Sequence, residues 1–114
     1  MSLLDYGLCT QTVTVYHREG EMLQRLVVEG CHYAYEDCLD EHGFVRKFLL
    51  VMPGPCQRVF AGDRIYDGIG PEEVDWERFL PALLPEVYEI SYVNPCCWDG
   101  ELVHWEAGHK KEAL

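Results

Sequence analysis

Basic residues are scarce in this chain. Nine Lys and Arg stand against twenty Asp and Glu in 114 residues, a formal charge of −11 with the histidines neutral. Such a charge repels phosphate backbones and anionic membranes within the Debye length, so neither sequence-specific nucleic-acid binding nor a membrane role is expected. Long apolar runs are missing too: the best, Phe48-Leu49-Leu50-Val51-Met52, falls far short of the roughly 18–20 residues that span a bilayer. It suits a buried strand instead. The start, Met1-Ser2-Leu3-Leu4-Asp5-Tyr6, has neither the basic region nor the apolar core of a signal peptide. Without export, the six cysteines are expected to be reduced thiols and not a disulfide framework. No C-x-x-C, G-x-S-x-G, H-E-x-x-H, P-loop or G-x-G-x-x-G occurs, so no enzyme and no cofactor is expected.

What is present is a β pattern. The hydrophobic fraction of 48% and seven tyrosines argue against disorder, and the length suits one domain with one core. Residues 1–10 show no period and read as a flexible N-terminal arm, leaving 11–110 as a single β-rich domain. Thr12-Val13-Thr14-Val15-Tyr16-His17 alternates strictly, which predicts a half-buried strand with Val13 and Val15 inward. Met22–Val28 and Cys31–Tyr35, separated by Glu29-Gly30, read as one bent strand kinked at the glycine. The acidic stretch 36–43 reads as a solvated hairpin loop, and Phe44–Met52 as the strongest strand, stopped by Pro53-Gly54-Pro55. A short strand lies between Gly62 and Gly68. Asp75 as N-cap, with Trp76, Phe79, Leu80 and Leu83 at helical spacing, predicts one short helix near 75–84 that Pro81 limits. Val87–Val93 alternates again, with Tyr88, Ile90 and Tyr92 on one face. A turn-rich loop over 94–100 and a last strand, Leu102–Ala107, follow. About seven short strands and one helix predict a mainly β fold, a small antiparallel barrel or sandwich.

The residues that carry chemistry are few. For a metal, the nearest set is Cys38 and His42 with Cys31 and His32, none at the spacing of a known structural zinc site. A Cys97–His104 pair across the final hairpin is the nearest approach to a nucleophile and base. Cys96 and Cys97, adjacent in a strand, point to opposite faces, and Cys9, Cys31 and Cys56 read as small apolar residues. Trp105 reads as core. Trp98, in a Pro/Asp/Gly-rich segment, and Tyr6, in the arm, are the candidate interface aromatics.

Three segments, in order and at matching spacing, carry a family resemblance. Thr12-Val13-Thr14-Val15-Tyr16-His17-Arg18 resembles the T-V-T-x-Y-x-R opening of a family of small phage and prophage proteins of Gram-positive bacteria. Ala61-Gly62-Asp63-Arg64-Ile65-Tyr66-Asp67-Gly68 is similar to its G-D-x-I-x-x-G segment, and Leu102-Val103-His104-Trp105-Glu106-Ala107-Gly108-His109-Lys110 to its closing H-W-x-x-G-x-K. The positions that match are Tyr16, Arg18, Gly62, Asp63, Gly68, His104, Trp105, Gly108 and Lys110. The Cys-containing acidic hairpin 36–43 departs from the family pattern.

That resemblance implies a virion structural protein of the head–tail (neck) connection, head-closure (stopper-like) or tail-completion-like. It implies a compact β-barrel-like domain in a homo-oligomeric ring, partnered by portal or adaptor and by tail-completion or tail-tube proteins. Such a protein would be found in the bacterial host cytoplasm during assembly and then in the virion neck. Acidity suits that place, because a lumen lined by Glu36, Asp37, Asp40, Glu41, Glu72 and Glu73 would let DNA pass without sticking. Two alternatives come from other classes: an acidic inhibitor mimicking nucleic-acid charge, with carboxylates in two rows, and a small Cys/His metal-binding or thiol protein.

Overall fold

The alternating segments become seven strands in the computed structural model, which describes Gly7 and residues 9–41, 43–81 and 83–109, with backbone alone at 36–38, 40 and 43–46. These are β1 (Gln11–Glu19), β2 (Met22–Asp40), β3 (Gly43–Pro53), β4 (Arg64–Asp67), β5 (Val87–Glu89), β6 (Tyr92–Trp98) and β7 (Glu101–His109). All pairings are antiparallel, and the order β5-β4-β1-β2-β3-β7-β6 curls into a half-barrel. The fold is therefore mainly β. Among the described residues no helix is long and apolar enough to cross a membrane.

Two chain segments turn the sheet. The first half of β2 pairs with β1 and the second half with β3. Between them the register slips from Val13↔Val28 to Gln11↔Cys31, and Gly30 takes a φ of 71°. An extra residue at a left-handed glycine is a bulge that bends the strand, so the predicted kink falls where the glycine is. The second turn lies between β5 and β6. Ile90 N–H donates to Asp63 O and Ser91 N–H to Gly108 O, each at 2.8 Å, which passes the chain from β4 to β7. This break reverses the facing of the strand. Tyr88 and Ile90 enter the core, but Val93, not Tyr92, packs against it beyond the break.

The concave face holds Val13, Val15, Val28, Leu50, Met52, Ile65, Ile90 and Ala107, with Phe48 stacked on Tyr88 at 4.2 Å between centroids. Each fully buried large apolar side chain here is worth about 1.5–3 kcal/mol. Four expectations are corrected around this core. β1 is buried on both faces, because Thr14 and Tyr16, on its convex side, are covered by the segment 68–86. That segment is not the predicted helix but an irregular strap of turns. Pro81 has no N–H for the helical ladder, and Arg64 takes the Trp76 and Phe79 carbonyls that a helix would use internally. Residues 36–43 are not a loop: β2 runs to Asp40 and β3 starts at Gly43. Residues 94–98 belong to β6. Pro95 is tolerated there because β6 is an edge strand with no inward ladder bond to lose.

Candidate functional site

The chemistry collects on the β6–β7 hairpin. Its connection is Asp99-Gly100, both with positive φ (52° and 82°), the backbone that a two-residue type I′ turn requires. From that turn the ladder runs Trp98↔Glu101 and Cys97↔Leu102, then slips so that Cys96 faces His104. The extra residue is Val103. The bulge thus pairs Cys96, and not Cys97, with the histidine.

Two residues along β7, Glu106 shares the convex face with His104, while Ala107 is buried in the core beneath. The Cys96 thiol donates to Glu106 Oε2 at 2.8 Å. His104 Nε2 lies 3.1 Å from the same oxygen and is the donor, because a carboxylate only accepts. Ligand atoms of all three residues fall within 4.8 Å of one another. The His104 side chain is 12% exposed and that of Glu106 36%.

The electrostatics follow from this geometry. Burial, then the hydrogen bond to Glu106 and its negative charge, push the Cys96 thiol up to about 11. In return, the hydrogen bonds from Cys96 and His104 hold the Glu106 carboxyl below its ordinary range. A thiol held protonated by a carboxylate is the reverse of an activated nucleophile, which needs a depressed thiol beside a base or a cation. What the trio offers is one sulfur, one imidazole nitrogen and one carboxylate oxygen at half-buried depth.

The other candidates are dispersed. Cys31 is buried and donates to Gln11 O at 3.2 Å. Cys38 lies seven residues further along the same strand, roughly 23 Å away at 3.3 Å per residue, so the two cannot share an ion. The side chains of Cys38 and His42 lie outside the described residues. Cys97 is exposed and faces Leu102, so it does not pair with His104. Trp98 is exposed, as expected of an interface anchor, whereas Trp105 is half-buried and donates to Pro55 O at 3.1 Å. Tyr6 and Lys110 lie outside the described residues.

Most of the family-like positions hold the framework. Tyr16 OH donates to Pro71 O at 2.5 Å, and its ring packs edge-on to Phe79 at 4.6 Å. Asp63 is buried, with Oδ1 2.5 Å from His17 Nδ1 and Oδ2 accepting from Phe60 N–H at 2.8 Å. Burial outweighs His17 and raises the Asp63 carboxyl. Gly62 N–H donates to Ile90 O, Gly68 O accepts from the Thr14 hydroxyl, and Arg18 Nε donates to Gly20 O in the β1–β2 turn. At Gly108 a Cβ would sit 2.5 Å from Phe48 O and from the Tyr92 hydroxyl, so only glycine fits. His104 alone of these positions belongs to the trio.

The acidic candidates occupy two elements. Glu41 is exposed at the turn of the β2–β3 hairpin, and Glu72 and Glu73 are exposed on the strap. Glu36, Asp37 and Asp40 lie on β2, where the register sets Lys47 opposite Glu36 and Arg46 opposite Asp37. Of the trio, Cys96 and Glu106 went unselected in the sequence. The Asp99-Gly100 turn and the two-residue spacing of His104 and Glu106 were signals for the shared face, but the bulge at Val103 was not legible. Comparison with known protein families, curated proteins and solved structures finds no match to this chain.

Proposed function

We propose that this protein is a non-enzymatic structural component of a phage or prophage head–tail connection, a closure or completion piece that assembles into a ring. The observation that carries this reading is the β2–β3 ribbon. β7 pairs with β3 from Pro53↔His104 to Phe48↔His109, and among the described residues 36–47 pair within the β2–β3 hairpin. On this ribbon Leu39 is 73% exposed, and Tyr35, half-exposed, stacks on Tyr88 at 6.2 Å. A stiff arm with an apolar side chain near its tip suits insertion against a neighbouring subunit, and Trp98 on a second hairpin adds an aromatic anchor. The three family-like segments support the same assignment, since Tyr16, Asp63 and Gly108 within them hold the half-barrel together and the docking side chains proposed here lie outside those segments. Partners on this reading are portal or adaptor and tail-completion or tail-tube proteins. Exposed Glu41, Glu72 and Glu73 would keep passing DNA from adhering.

Co-expression with the portal and tail-completion proteins of the same prophage tests the reading. The wild-type chain is expected to co-purify with at least one of them. Leu39→Asp or Trp98→Asp should weaken that capture by about 30-fold, the cost of losing a hot-spot side chain. Capture by none of these partners, from virions or from co-expressing cells, would overturn the assignment.

A further inference from the structure

We propose that Cys96, His104 and Glu106 form a zinc-class metal site on the convex face of the β6–β7 hairpin, with three protein ligands and a fourth position taken by water. The donor set argues for the metal. A thiolate disfavours magnesium and calcium, and one sulfur, one imidazole and one carboxylate suit zinc, for which cobalt(II) is a spectroscopic stand-in. Geometry agrees. Bonds of about 2.0–2.3 Å in a tetrahedron place ligand atoms about 3.5 Å apart, and here they already lie within 4.8 Å. The contacts of 2.8 and 3.1 Å to Glu106 Oε2 must open slightly to admit an ion. Glu106, with the longest side chain of the three and more exposed than His104, can move to allow this, while Cys96 and His104 are held across the ladder.

Charge balance points the same way. With Glu106 ionised, loss of the Cys96 proton gives two negative ligands and one neutral imidazole, which cancel a divalent ion at half-buried depth. The Cys96–H bond breaks, a sulfur–metal bond forms, and one proton leaves to solvent per ion bound. His104 moves its remaining proton to Nδ1 with no net release. The bulge at Val103 gives this arrangement its geometry, since an unbroken ladder would set Val103 opposite Cys96.

The experiment uses the full chain, untagged, stripped with chelator and reduced with a phosphine. Titration with zinc(II) should saturate at one equivalent with release of one proton. Titration with cobalt(II) should raise a thiolate charge-transfer band. Cys96→Ser should abolish that band, and His104→Gln and Glu106→Gln should weaken zinc by more than the 10–100-fold lost with an outer-shell partner. Cys97→Ser should leave both intact. Alkylation of the wild type, mapped by peptide mass, needs no folded variant: zinc should slow modification of Cys96 and spare that of Cys97. Absence of saturable binding, a band that survives Cys96→Ser, or equal alkylation of Cys96 with and without zinc would each overturn the proposal.

Discussion

Glu106 receives two hydrogen bonds at one oxygen, and its ionised form is favoured as a result. A carboxyl whose folded pKa lies below its unfolded value contributes stability above the unfolded pKa, lost as pH falls through the folded one. Replacing Cys96 with Ala removes the larger of the two favourable contacts. The Glu106 carboxyl should then titrate at higher pH, read from its side-chain carbon resonance, and an unmoved midpoint would deny the thiol its place on that oxygen. Asp63 has the opposite sign. Burial raises its folded pKa, so its ionisation opposes folding, and stability declines as pH climbs from the unfolded pKa through the folded one. Asp63→Asn keeps an acceptor for Phe60 N–H and should flatten that decline in a denaturation series from pH 3 to 7. Asp63→Ala strands the Phe60 amide and should cost about 1–3 kcal/mol. Asp63 was visible as a motif position, but its partner His17 lies 46 residues away, and no local pattern announces such a pairing.

At the scale of elements, patterning served where the local code was unopposed. The existence of β1, the glycine kink in β2 and the strength of β3 were readable, because β propensity and a bulge glycine act over a few residues. The burial of Thr14 and Tyr16 on the second face of β1 depends on the distant strap and was not readable. Nor was the strap itself. Its N-cap signal is real, since Asp75 Oδ1 accepts from Glu77 N–H at 3.2 Å. Yet its carbonyls answer to distant arginines: Arg25 donates to Gly70 O and Pro71 O, and Arg64 to Trp76 O and Phe79 O. Arg64 also lies over the Trp76 ring at 3.8 Å. Sequence periodicity cannot foresee acceptors claimed by arginines on strands 12 to 46 residues upstream. Arg64→Met should therefore free the strap, at a cost of about 2–3 kcal/mol for charged hydrogen bonds lost from a buried side chain. Hydrogen exchange should quicken in 74–84 more than in β1. Uniform loss of protection across both would mean that Arg64 holds the barrel and not the strap.

The whole molecule carries −11, and its distribution governs how that charge acts. In the sequence the acidic stretch 36–43 looked like one solvated loop of a single sign. Folding turns it into a ladder in which Lys47 and Arg46 stand opposite Glu36 and Asp37, leaving Asp40 and Glu41 as the excess at the tip. The loop reading failed because cross-strand neighbours are a property of register, and register is invisible to a linear count of charges. Much of the remaining excess lies on other exposed carboxylates, among them Glu19, Glu21, Glu29, Glu72, Glu73 and Glu86, so like charges dominate the surface potential. Net self-repulsion of that kind opposes the compact state, and salt relieves it once the Debye length shrinks to about 8 Å at physiological ionic strength. The melting temperature should therefore rise between about 0.01 M and 0.15 M NaCl, where the Debye length falls from about 30 Å. Sodium sulfate at matched ionic strength separates screening from surface exclusion, since exclusion would add stability beyond the NaCl value. A melting temperature that falls with NaCl would mean that opposed pairs such as those along the ribbon outweigh the net repulsion, and that the acidity is locally compensated instead of presented to whatever passes the molecule.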